Sequence, residues 1–185
     1  MKKIPTLFKR DSNHLVRPDV TLNCLWVLDG EGIATCKYDG SCCAVIDGLL
    51  YKRRVLKDGA EPLNSYRWVD TDLNTKKSIF WAPVDPDDPA DQWHRYAFQS
   101  ATRWDDGTYE LVGPKVQGNP EKYPFHTLLL HKAAEEFADV PRSFLGLKEW
   151  LKPLDIEGLV FTHADGRRAK IKKKDFGLKR NSEGG

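Results

Sequence analysis

Long hydrophobic runs are missing from this sequence of 185 residues, in which 40% of the side chains are hydrophobic and 30% are charged. A helix needs about 20 consecutive apolar residues to cross a bilayer, and no stretch approaches that length. Residues 1–5 are basic but continue into polar residues rather than an apolar run, so they do not predict a signal peptide. We therefore expect a cytoplasmic protein that has no membrane partner and is large enough to bury a substantial core.

Cysteine is scarce, and its spacing does not indicate a metal site. Cys24, Cys36, Cys42 and Cys43 include no Cys-x-x-Cys pair, so a structural zinc site has little support. We predict that all four are reduced residues in or beside buried strands, where a thiol behaves as a small hydrophobe. Catalytic thiol chemistry is the alternative. A Gly-x-x-x-x-Gly-Lys-Ser/Thr phosphate loop is also missing, which argues against a kinase or an ordinary NTPase.

Charge is nearly balanced over the chain but uneven along it. The formal net charge is +2, yet residues 156–185 hold 8 basic and 4 acidic side chains, whereas residues 1–155 hold 21 and 23. A basic carboxyl-terminal part favours a polyanionic partner such as a nucleotide or nucleic acid. A solvated tail that only aids solubility is the alternative.

Apolar stretches separated by turn residues predict a series of strands. The Asp-Gly pairs at 29–30 and 47–48 predict hairpin turns, and residues 57–75 predict irregular structure. Ser143 predicts the cap of a helix that ends near Lys152, before Pro153. Residues 92–101 fit a short helix or an edge strand. Residues 22–54 predict the pattern strand, turn, strand, turn, strand, with apolar runs at 22–28 and 44–50. The later predicted strands lie at residues 77–84, 108–112, 125–130, 156–163 and 168–173.

This order of elements predicts the α+β class, built largely from antiparallel sheet. We predict one domain over residues 1–180, with a short amino-terminal arm over residues 1–20, and a flexible tail over residues 181–185. The sequence contains no internal repeat of the kind that forms a solenoid or an array. We expect the protein to be a monomer.

Lys37 stands in the stretch Lys37-Tyr38-Asp39-Gly40, between two apolar runs. An ordinary lysine ammonium has a pKa of about 10.4, so a lysine that attacks phosphorus needs desolvation or neighbouring cations to expose its lone pair. The same four residues also describe a plain turn, in which Asp39 and Gly40 serve the backbone.

Two acidic and two basic residues further along the chain extend this pattern. Glu110 and Glu157 interrupt apolar stretches, where a buried carboxylate costs free energy unless a cation or a metal pairs with it. Lys170 and Lys172 lie two residues apart in a predicted strand and therefore share one face. If the strands bring these residues and Lys37 to one cleft, the acidic and basic side chains would pair with one another. Ordinary salt bridges at the edge of a sheet are the alternative.

The order of these motifs resembles the covalent nucleotidyltransferase superfamily of ATP-dependent ligases and mRNA capping enzymes. Four further stretches make the resemblance more specific, since they are similar to a small family of ATP-dependent 5′–3′ RNA ligases known from vertebrates and from some microbes and viruses. These stretches are residues 37–43 with their paired cysteines, 117–120, 124–126 and 175–178. The resemblance extends over residues 22–180 and implies a minimal nucleotidyltransferase (adenylation) domain without an appended oligonucleotide-binding barrel.

The resemblance implies a role for each matching residue. Lys37 would attack the α-phosphorus of ATP and Asp39 would orient its amine, while Glu157 would hold Mg²⁺ or Mn²⁺. Lys170 and Lys172 would bind the α-phosphate and lower the pKa of the attacking amine. The remaining implied nucleotide contacts are Arg53 at the ribose or the RNA 5′-phosphate, Glu110 at a ribose hydroxyl, and Phe125 or His126 at the adenine.

The implied reaction joins RNA 5′-phosphate and 3′-hydroxyl ends through a lysyl-AMP intermediate and an adenylated RNA 5′ end. RNA phosphates would contact the basic residues Lys173, Lys174, Lys179 and Arg180. The sequence departs from the wider pattern at Cys42, where many ligases have a polar or basic residue. A DNA ligase, a GTP-dependent capping enzyme and a non-catalytic basic RNA-binding module remain alternatives.

Overall fold

The computed structural model describes residues 1–73 and 75–180, so the predicted flexible tail, residues 181–185, lies outside the described residues. Strands in this part of the chain run almost from one end to the other. They are β1 (Phe8–Arg10), β2 (Val16–Val20), β3 (Ile33–Lys37), β4 (Ser41–Ile46), β5 (Leu49–Leu56), β6 (Arg67–Asp72), β7 (Lys77–Pro83), β8 (Gly107–Val112), β9 (Thr127–Leu130), β10 (Glu136–Phe137), β11 (Gly158–Thr162) and β12 (Arg168–Lys172).

Helices are short and few among the described residues. The α-helices are α1 (Leu25–Leu28), α2 (Gln92–Phe98) and α3 (Phe144–Leu151), and 3-10 turns occupy Leu22–Cys24, Pro89–Asp91, His131–Ala133 and Lys173–Phe176. The predicted α+β class with mostly antiparallel sheet is confirmed, since each pairing between these strands is antiparallel. In the described ranges no helix combines the length and the apolar character that crossing a membrane requires.

The chain separates into two compact units, each built from two segments. The first unit comprises residues 1–3 and 39–133, and the second comprises residues 4–38 and 134–185. The single domain predicted over residues 1–180 stays a prediction.

The first unit contains a six-stranded sheet in the order β6-β7-β5-β4-β8-β9. Asp47 and Gly48 connect β4 and β5 with positive φ angles of 54° and 74°, as a tight hairpin turn requires, so this predicted hairpin is confirmed. One side of the sheet packs against α2 through buried Tyr109, Leu111 and Ala97. This packing holds β4 and β8 side by side, and both strands carry candidate site residues.

The second unit contains a four-stranded sheet in the order β10-β3-β11-β12, together with the ribbon β1-β2. The Ser143 hydroxyl caps α3 by accepting a hydrogen bond from the Gly146 N–H at 3.1 Å, as predicted. The apolar face of α3 places Leu147 and Leu151 in the same core as Phe161 of β11. The side of the sheet that contains β11 and β12 is thereby packed against α3.

Three predictions about elements are wrong. Residues 22–28 form a 3-10 turn followed by α1 rather than a strand, because the buried Cys24, Trp26 and Val27 lie on one side of a helical path. The hairpin predicted at residues 29–30 is not formed, because these residues follow α1 instead of joining two paired strands. The predicted amino-terminal arm stays a prediction, and it contains the ribbon β1-β2, in which Phe8 is buried in the core. The segment predicted to be irregular contains β6, which pairs with β7 at the edge of the sheet.

Candidate functional site

The strand register of the second unit places two candidate lysines on either side of one glycine. Gly158 of β11 lies opposite Lys37 of β3 on one side and opposite Lys172 of β12 on the other. Residues directly opposite each other in antiparallel strands project on the same face of the sheet. Lys37 and Lys172 therefore share a face although 135 positions separate them in the sequence.

Gly158 is required by the close approach of the neighbouring strand. A Cβ atom built at this position would lie 2.1 Å from the Ile171 carbonyl oxygen and 2.7 Å from Lys172 Cα. Both atoms belong to the backbone and cannot move aside as the end of a side chain can. Any other residue would force β11 and β12 apart and disturb the register that positions the two lysines.

Glu157 joins the two lysines from the position just before β11. The Lys37 and Lys172 ammonium groups each donate a short hydrogen bond to a separate carboxylate oxygen, Oε2 and Oε1 respectively. The Glu157 backbone is held as well, because its carbonyl accepts a hydrogen bond from the Lys173 N–H at 2.9 Å. We call Lys37, Glu157 and Lys172 the ion triad.

The ion triad is largely shielded from solvent. The side chains of Lys37, Glu157 and Lys172 are 19%, 7% and 16% exposed. Burial alone raises the pKa of Glu157, but the charges and hydrogen bonds of the two lysines outweigh burial and hold that pKa below its usual range. The carboxylate is therefore ionised at neutral pH, and the triad has one formal positive charge in excess.

The immediate neighbour of the Lys37 ammonium is an acidic residue. We expected both cationic and acidic side chains around this amine, and the structure shows the Glu157 carboxylate in contact with it and the Tyr38 carbonyl oxygen at 3.2 Å. The amine is held as half of an ion pair. Attack on phosphorus then requires that Lys37 first give up a proton, for which Glu157 Oε2 is an adjacent acceptor.

Lys170 lies on the same face of β12 as Lys172, as predicted from the alternation of side chains. Ile171, which lies between the two lysines, and Ala169, which precedes them, are buried, while both lysines are half-buried. Lys170 and Lys172 line a cavity of about 400 Å³ together with Lys174. The structure thus brings Lys37, Glu157 and Lys172 together and places Lys170 beside the last of them.

Glu110 and Arg53 belong to the first unit. Glu110 is 8% exposed, accepts the Gly40 N–H at 3.1 Å through Oε1, and lies 3.0 Å from His131 Nε2 through Oε2. Arg53 lines a cavity of about 430 Å³, whose walls include Cys42, Lys52, Asp91, His94 and Glu110. The predicted proximity of Glu110 and Arg53 to the lysines of the second unit stays a prediction.

Asp39 is held through its backbone in the first unit. Its N–H donates to Glu121 Oε1 at 2.8 Å, within the turn between β3 and β4. The next residue, Gly40, has no room for a Cβ atom, which would lie 2.2 Å from the Leu111 carbonyl oxygen. The backbone of these two residues is therefore constrained as the plain-turn interpretation expects. The predicted orienting role of the Asp39 side chain stays a prediction.

The two candidate adenine-stacking residues have very different surroundings. Phe125 is 66% exposed, whereas His126 is buried and stacks on Trp93 with ring centroids 4.3 Å apart. Burial, with the nearby Lys115, lowers the pKa of His126 below its ordinary value, so the ring is neutral at physiological pH. The His126 ring is packed in the first unit's core, which leaves Phe125 as the exposed candidate.

The predicted RNA-contacting residues divide into exposed and anchored side chains. Lys174 and Lys179 are exposed. Arg180 is anchored by Asp155, whose carboxylate accepts Nε–H at 3.0 Å. For Lys173 the prediction is wrong, because this residue is 2% exposed and its ammonium donates to the backbone carbonyls of residues 154 and 152 at 2.7 and 3.2 Å.

Sequence reasoning missed a second buried lysine–carboxylate group. Lys52 Nζ lies 2.5 Å from Asp91 Oδ1, and Asp91 also accepts the Asp85 N–H at 2.8 Å. Asp88 lies 3.9 Å from the same ammonium. In the sequence, Asp91 lies in a stretch with three other aspartates and two prolines, a pattern typical of a solvated loop. The one local signal of a buried pair is the apolar context of Lys52 in β5.

Glu157 is the one carboxylate of the ion triad and therefore the oxygen donor that the triad could offer a divalent metal. Among residues 1–73 and 75–180, no group of three or more histidine, cysteine or acidic side chains is placed to hold a metal ion. Mg²⁺ commonly binds one or two carboxylates together with water and substrate phosphates. Glu157 fits that mode, with the nucleotide phosphates as the other ligands, provided that a lysine moves off one carboxylate oxygen.

The four cysteines form no disulfide in the part of the chain that the structure describes, and Cys24, Cys36 and Cys43 are buried. Burial, reinforced by the charge of Glu110, raises the pKa of the Cys42 thiol to about 11, although Arg53 opposes the shift. The prediction that the cysteines are reduced, core-type residues agrees with this environment.

Comparison with models of known protein families finds no match, and comparison with curated proteins also finds none. The chemistry and geometry of the residues themselves are therefore the basis for assigning a function.

Proposed function

We propose that this protein is an ATP-dependent RNA ligase with a nucleotidyltransferase (adenylation) fold. The single observation that carries the proposal is the ion triad. Lys37, Glu157 and Lys172 come from three separate sequence motifs, each with the residue type that lysyl-AMP chemistry needs, and the fold joins them through a shared glycine. An excess of cationic charge beside a potential nucleophile is suited to an anionic phosphoryl substrate.

The first proposed step transfers AMP from ATP to Lys37. The ammonium gives up a proton to solvent by way of Glu157 Oε2, which returns to its ionised form, and the resulting amine attacks the α-phosphorus. A P–N bond forms while the P–O bond to the β-phosphate breaks, so pyrophosphate leaves. A second proton then leaves the nitrogen for solvent, and the product is a lysyl-AMP phosphoramidate.

The second and third proposed steps use that phosphoramidate to join RNA ends. A 5′-phosphate oxygen of the RNA attacks the AMP phosphorus, the P–N bond breaks, and Lys37 recovers its protons. The RNA 3′-hydroxyl then attacks the activated 5′-phosphorus, loses its proton, and releases AMP as a phosphodiester forms. Each step is a displacement at phosphorus, for which positioning and charge stabilisation supply most of the catalysis.

Lys172 and Lys170 are proposed to stabilise negative charge on the transferred phosphoryl group. Lys172 already contacts Glu157, so it is held close to Lys37 before any substrate binds. Glu157 is also the proposed Mg²⁺ or Mn²⁺ ligand, and the metal would supply additional neutralisation of the phosphate oxygens. When phosphate replaces the carboxylate as partner of the two lysines, Glu157 becomes available for that role.

Other residues are proposed to bind the substrates rather than to take part in the chemistry. Glu110 would accept a ribose hydroxyl, Arg53 would bind the ribose or the RNA 5′-phosphate, and Phe125 would stack on the adenine. Asp39 would orient the Lys37 amine. The RNA surface would consist of Lys174, Lys179 and Arg180, without the buried Lys173.

Covalent labelling tests the proposal directly. The protein is incubated with α-³²P-labelled ATP and either Mg²⁺ or Mn²⁺, denatured, and examined for bound label. We expect label on the parent protein and none on Lys37→Arg, because arginine preserves the ion pair with Glu157 but does not form the lysyl-AMP bond. Lys9→Arg is the matched control, since Lys9 is an exposed lysine of β1 and should retain the label.

The absence of label with either metal would overturn the proposal and leave the ion triad as a structural ion network. Competition by unlabelled GTP would separate a ligase from a capping enzyme. Sealing of 5′-phosphorylated RNA, compared with matched DNA strands, would separate an RNA ligase from a DNA ligase.

A further inference from the structure

The Glu110 carboxylate in the first unit is held at both of its oxygen atoms. Oε1 accepts the Gly40 N–H at 3.1 Å, and Oε2 lies 3.0 Å from Nε2 of His131. The Glu110 side chain is 11% exposed and belongs to the wall of the cavity of about 430 Å³ described above. Groups from two other segments of the chain thus fix the orientation of a carboxylate at a cavity wall.

His131 reaches Glu110 because of where β9 ends. The register of β8 with β9 places Tyr109 opposite Leu130, the last residue of β9, so the next residue arrives beside Thr108. The Nδ1 atom of His131 lies 3.0 Å from the Thr108 hydroxyl oxygen. Thr108 and Glu110 are two residues apart in β8 and share one face of the sheet, so a single imidazole ring contacts both side chains.

The proton of the His131 ring can be assigned from its two partners. A carboxylate only accepts hydrogen bonds, so Nε2 carries a proton and donates it to Glu110. A threonine hydroxyl both donates and accepts, so Thr108 satisfies Nδ1 with or without a proton on that nitrogen. The hydrogen bond from His131 to Glu110 is therefore made by the neutral ring and by the charged ring alike.

The Glu110 carboxylate keeps acceptor capacity for a ligand. A carboxylate has about four acceptor positions, and the hydrogen bonds from Gly40 and His131 use one on each oxygen. A glutamate side chain has several rotatable bonds, so an unrestrained carboxylate loses conformational freedom when it accepts a ligand hydroxyl. Because Gly40 and His131 restrain Glu110 before a ligand arrives, that loss is smaller here.

We propose that His131 is a positioning residue that makes this cavity selective for a ribonucleotide over a deoxyribonucleotide. The inference rests on the proposed ligase function, in which Glu110 accepts a hydrogen bond from a ribose hydroxyl of ATP. His131 acts through Glu110, because it holds Oε2 so that the remaining lone pairs of the carboxylate meet the hydroxyl. A nucleotide that lacks the hydroxyl leaves the buried carboxylate without this partner and binds more weakly.

Calorimetric titration of the full chain with ATP, 2′-deoxy-ATP and 3′-deoxy-ATP, without metal, measures this selectivity in the absence of catalysis. We expect the parent to bind ATP about tenfold more tightly than the analogue that lacks the contacted hydroxyl. His131→Phe keeps a ring but removes the Nε2 donor, so it should reduce this affinity ratio to about twofold. His131→Gln places an amide donor near the former Nε2 and should restore most of the ratio.

His163 offers a matched control in the second unit. Its Nε2 lies 2.6 Å from Glu31 Oε2, and its side chain is 21% exposed, close to the 23% of His131. His163→Phe therefore removes a similar histidine–glutamate contact from the other unit and should leave the affinity ratio at the parent's value. Thermal unfolding followed by circular dichroism verifies that each variant is folded, and His131→Ala serves as a second variant that lacks the donor.

The affinity ratio distinguishes positioning from a purely structural role of His131. A change that only loosens the fold weakens the binding of ATP and of its deoxy analogues equally, so the ratio stays at the parent's value. An unchanged ratio in His131→Phe and His131→Ala would overturn the proposal. A ratio that falls as far in His131→Gln as in His131→Phe would also overturn it, and so would a parent that binds ATP no better than both analogues.

A second arm of the experiment separates this proposal from the ligase function. The parent is incubated with α-³²P-labelled ATP and metal, as described above, and examined for lysyl-AMP. Failure of the labelling in a parent whose affinity ratio depends on His131 would contradict the ligase function and leave the positioning role standing. Normal labelling of the parent, with the same affinity ratio in the parent and in His131→Phe, would contradict the positioning role and leave the ligase function standing.

Discussion

The two units contain buried lysine–carboxylate groups of opposite stoichiometry. In the second unit, two ammonium groups share one carboxylate, that of Glu157. In the first unit, the single ammonium of Lys52 lies 2.5 Å from Asp91 and 3.9 Å from Asp88, so acid is in excess. The Asp91 carboxylate of the first-unit group is also engaged by the backbone, since it accepts a hydrogen bond from the Asp85 N–H.

Burial of an ion pair does not by itself indicate a functional site, as the difference between the two groups shows. The Lys52–Asp91 pair is internally satisfied, and a buried pair of this kind is weak evidence even for stability. The ion triad has one positive charge in excess, and in the proposed reaction its carboxylate exchanges partners with an incoming phosphate. The ratio of charges, rather than the burial, distinguishes a group that can accept an anion from one that supports the fold.

The largest expected contrast comes from removing one lysine from each group. Lys172→Gln should slow formation of the labelled adduct about a hundredfold, the usual effect of deleting one transition-state charge donor. Lys52→Gln should instead lower the free energy of unfolding by about 3 kcal/mol, because it leaves Asp91 buried without its cation. The measurements are adduct formation over time and urea unfolding of both variants. A Lys172→Gln variant with the parent's adduct rate would contradict the contrast.

Removing the carboxylate from each group should make the difference in charge ratio visible as a difference in thermal stabilisation by inorganic phosphate. Glu157→Gln leaves two ammonium groups side by side, and inorganic phosphate should restore much of the lost thermal stability by replacing the missing anion. Asp91→Asn leaves one ammonium near Asp88 and should gain little from phosphate. Melting temperatures measured over a series of phosphate concentrations test this, with sodium chloride at matched ionic strength as the control. Equal rescue of both variants would remove the distinction.

Acid should weaken both groups, since each contains a carboxylate whose folded-state pKa is lowered. Burial alone raises the pKa of Asp91, but hydrogen bonds from Lys52 and from the Asp85 N–H and the charge of Lys52 lower it overall. The same balance holds for Glu157. Their contribution to stability is present above the unfolded pKa of about 4 and is lost as the pH falls through the lower folded values.

The free energy of unfolding should therefore fall as the pH is lowered below about 4, and Asp91→Asn should show a shallower fall than the parent. Urea unfolding between neutral and acidic pH measures both slopes. A parallel slope for Asp91→Asn would mean that the Asp91 carboxylate makes no pH-dependent contribution.

The smallest expected effect concerns Cys42 in the first unit. Its pKa of about 11, raised by burial and by Glu110, leaves little thiolate at pH 8. Alkylation by iodoacetamide at this residue should therefore be much slower in the folded protein than in urea, where the thiol returns to an ordinary pKa of about 8.5. Peptide mapping of the alkylated protein assigns the site. Rapid labelling of Cys42 in the folded protein would contradict this environment.

Local signals in the sequence predicted those parts of the fold that depend on few residues. Asp47 and Gly48 specify their hairpin through turn geometry, and Ser143 specifies the start of α3 through its hydroxyl. Residues 22–28 were misread, because a short apolar run satisfies a buried strand and a buried helical turn equally well. The edge strand β6 was missed because its pairing with β7 is its main source of order.

The candidate site was predictable as a set of residue types but not as a geometry. Glu157 was identified because a carboxylate in an apolar stretch needs a partner, and the structure supplies Lys37 and Lys172. The identity of those partners depends on a sheet register that only the whole fold determines. Lys173 shows the limit of charge counting, since a lysine in a basic run is buried on backbone carbonyls while its neighbour Lys174 is exposed.

The position of β3 between β10 and β11 has a consequence for biosynthesis. Both neighbours of this strand lie far downstream of it in the chain, so during translation the segment that carries Lys37 leaves the ribosome without a strand to pair with. The strands of the first unit's sheet, by contrast, all lie within the continuous stretch 39–133 and have their partners there. The ion triad therefore cannot assemble until β11 and β12 have been synthesised, long after the segment that carries Lys37.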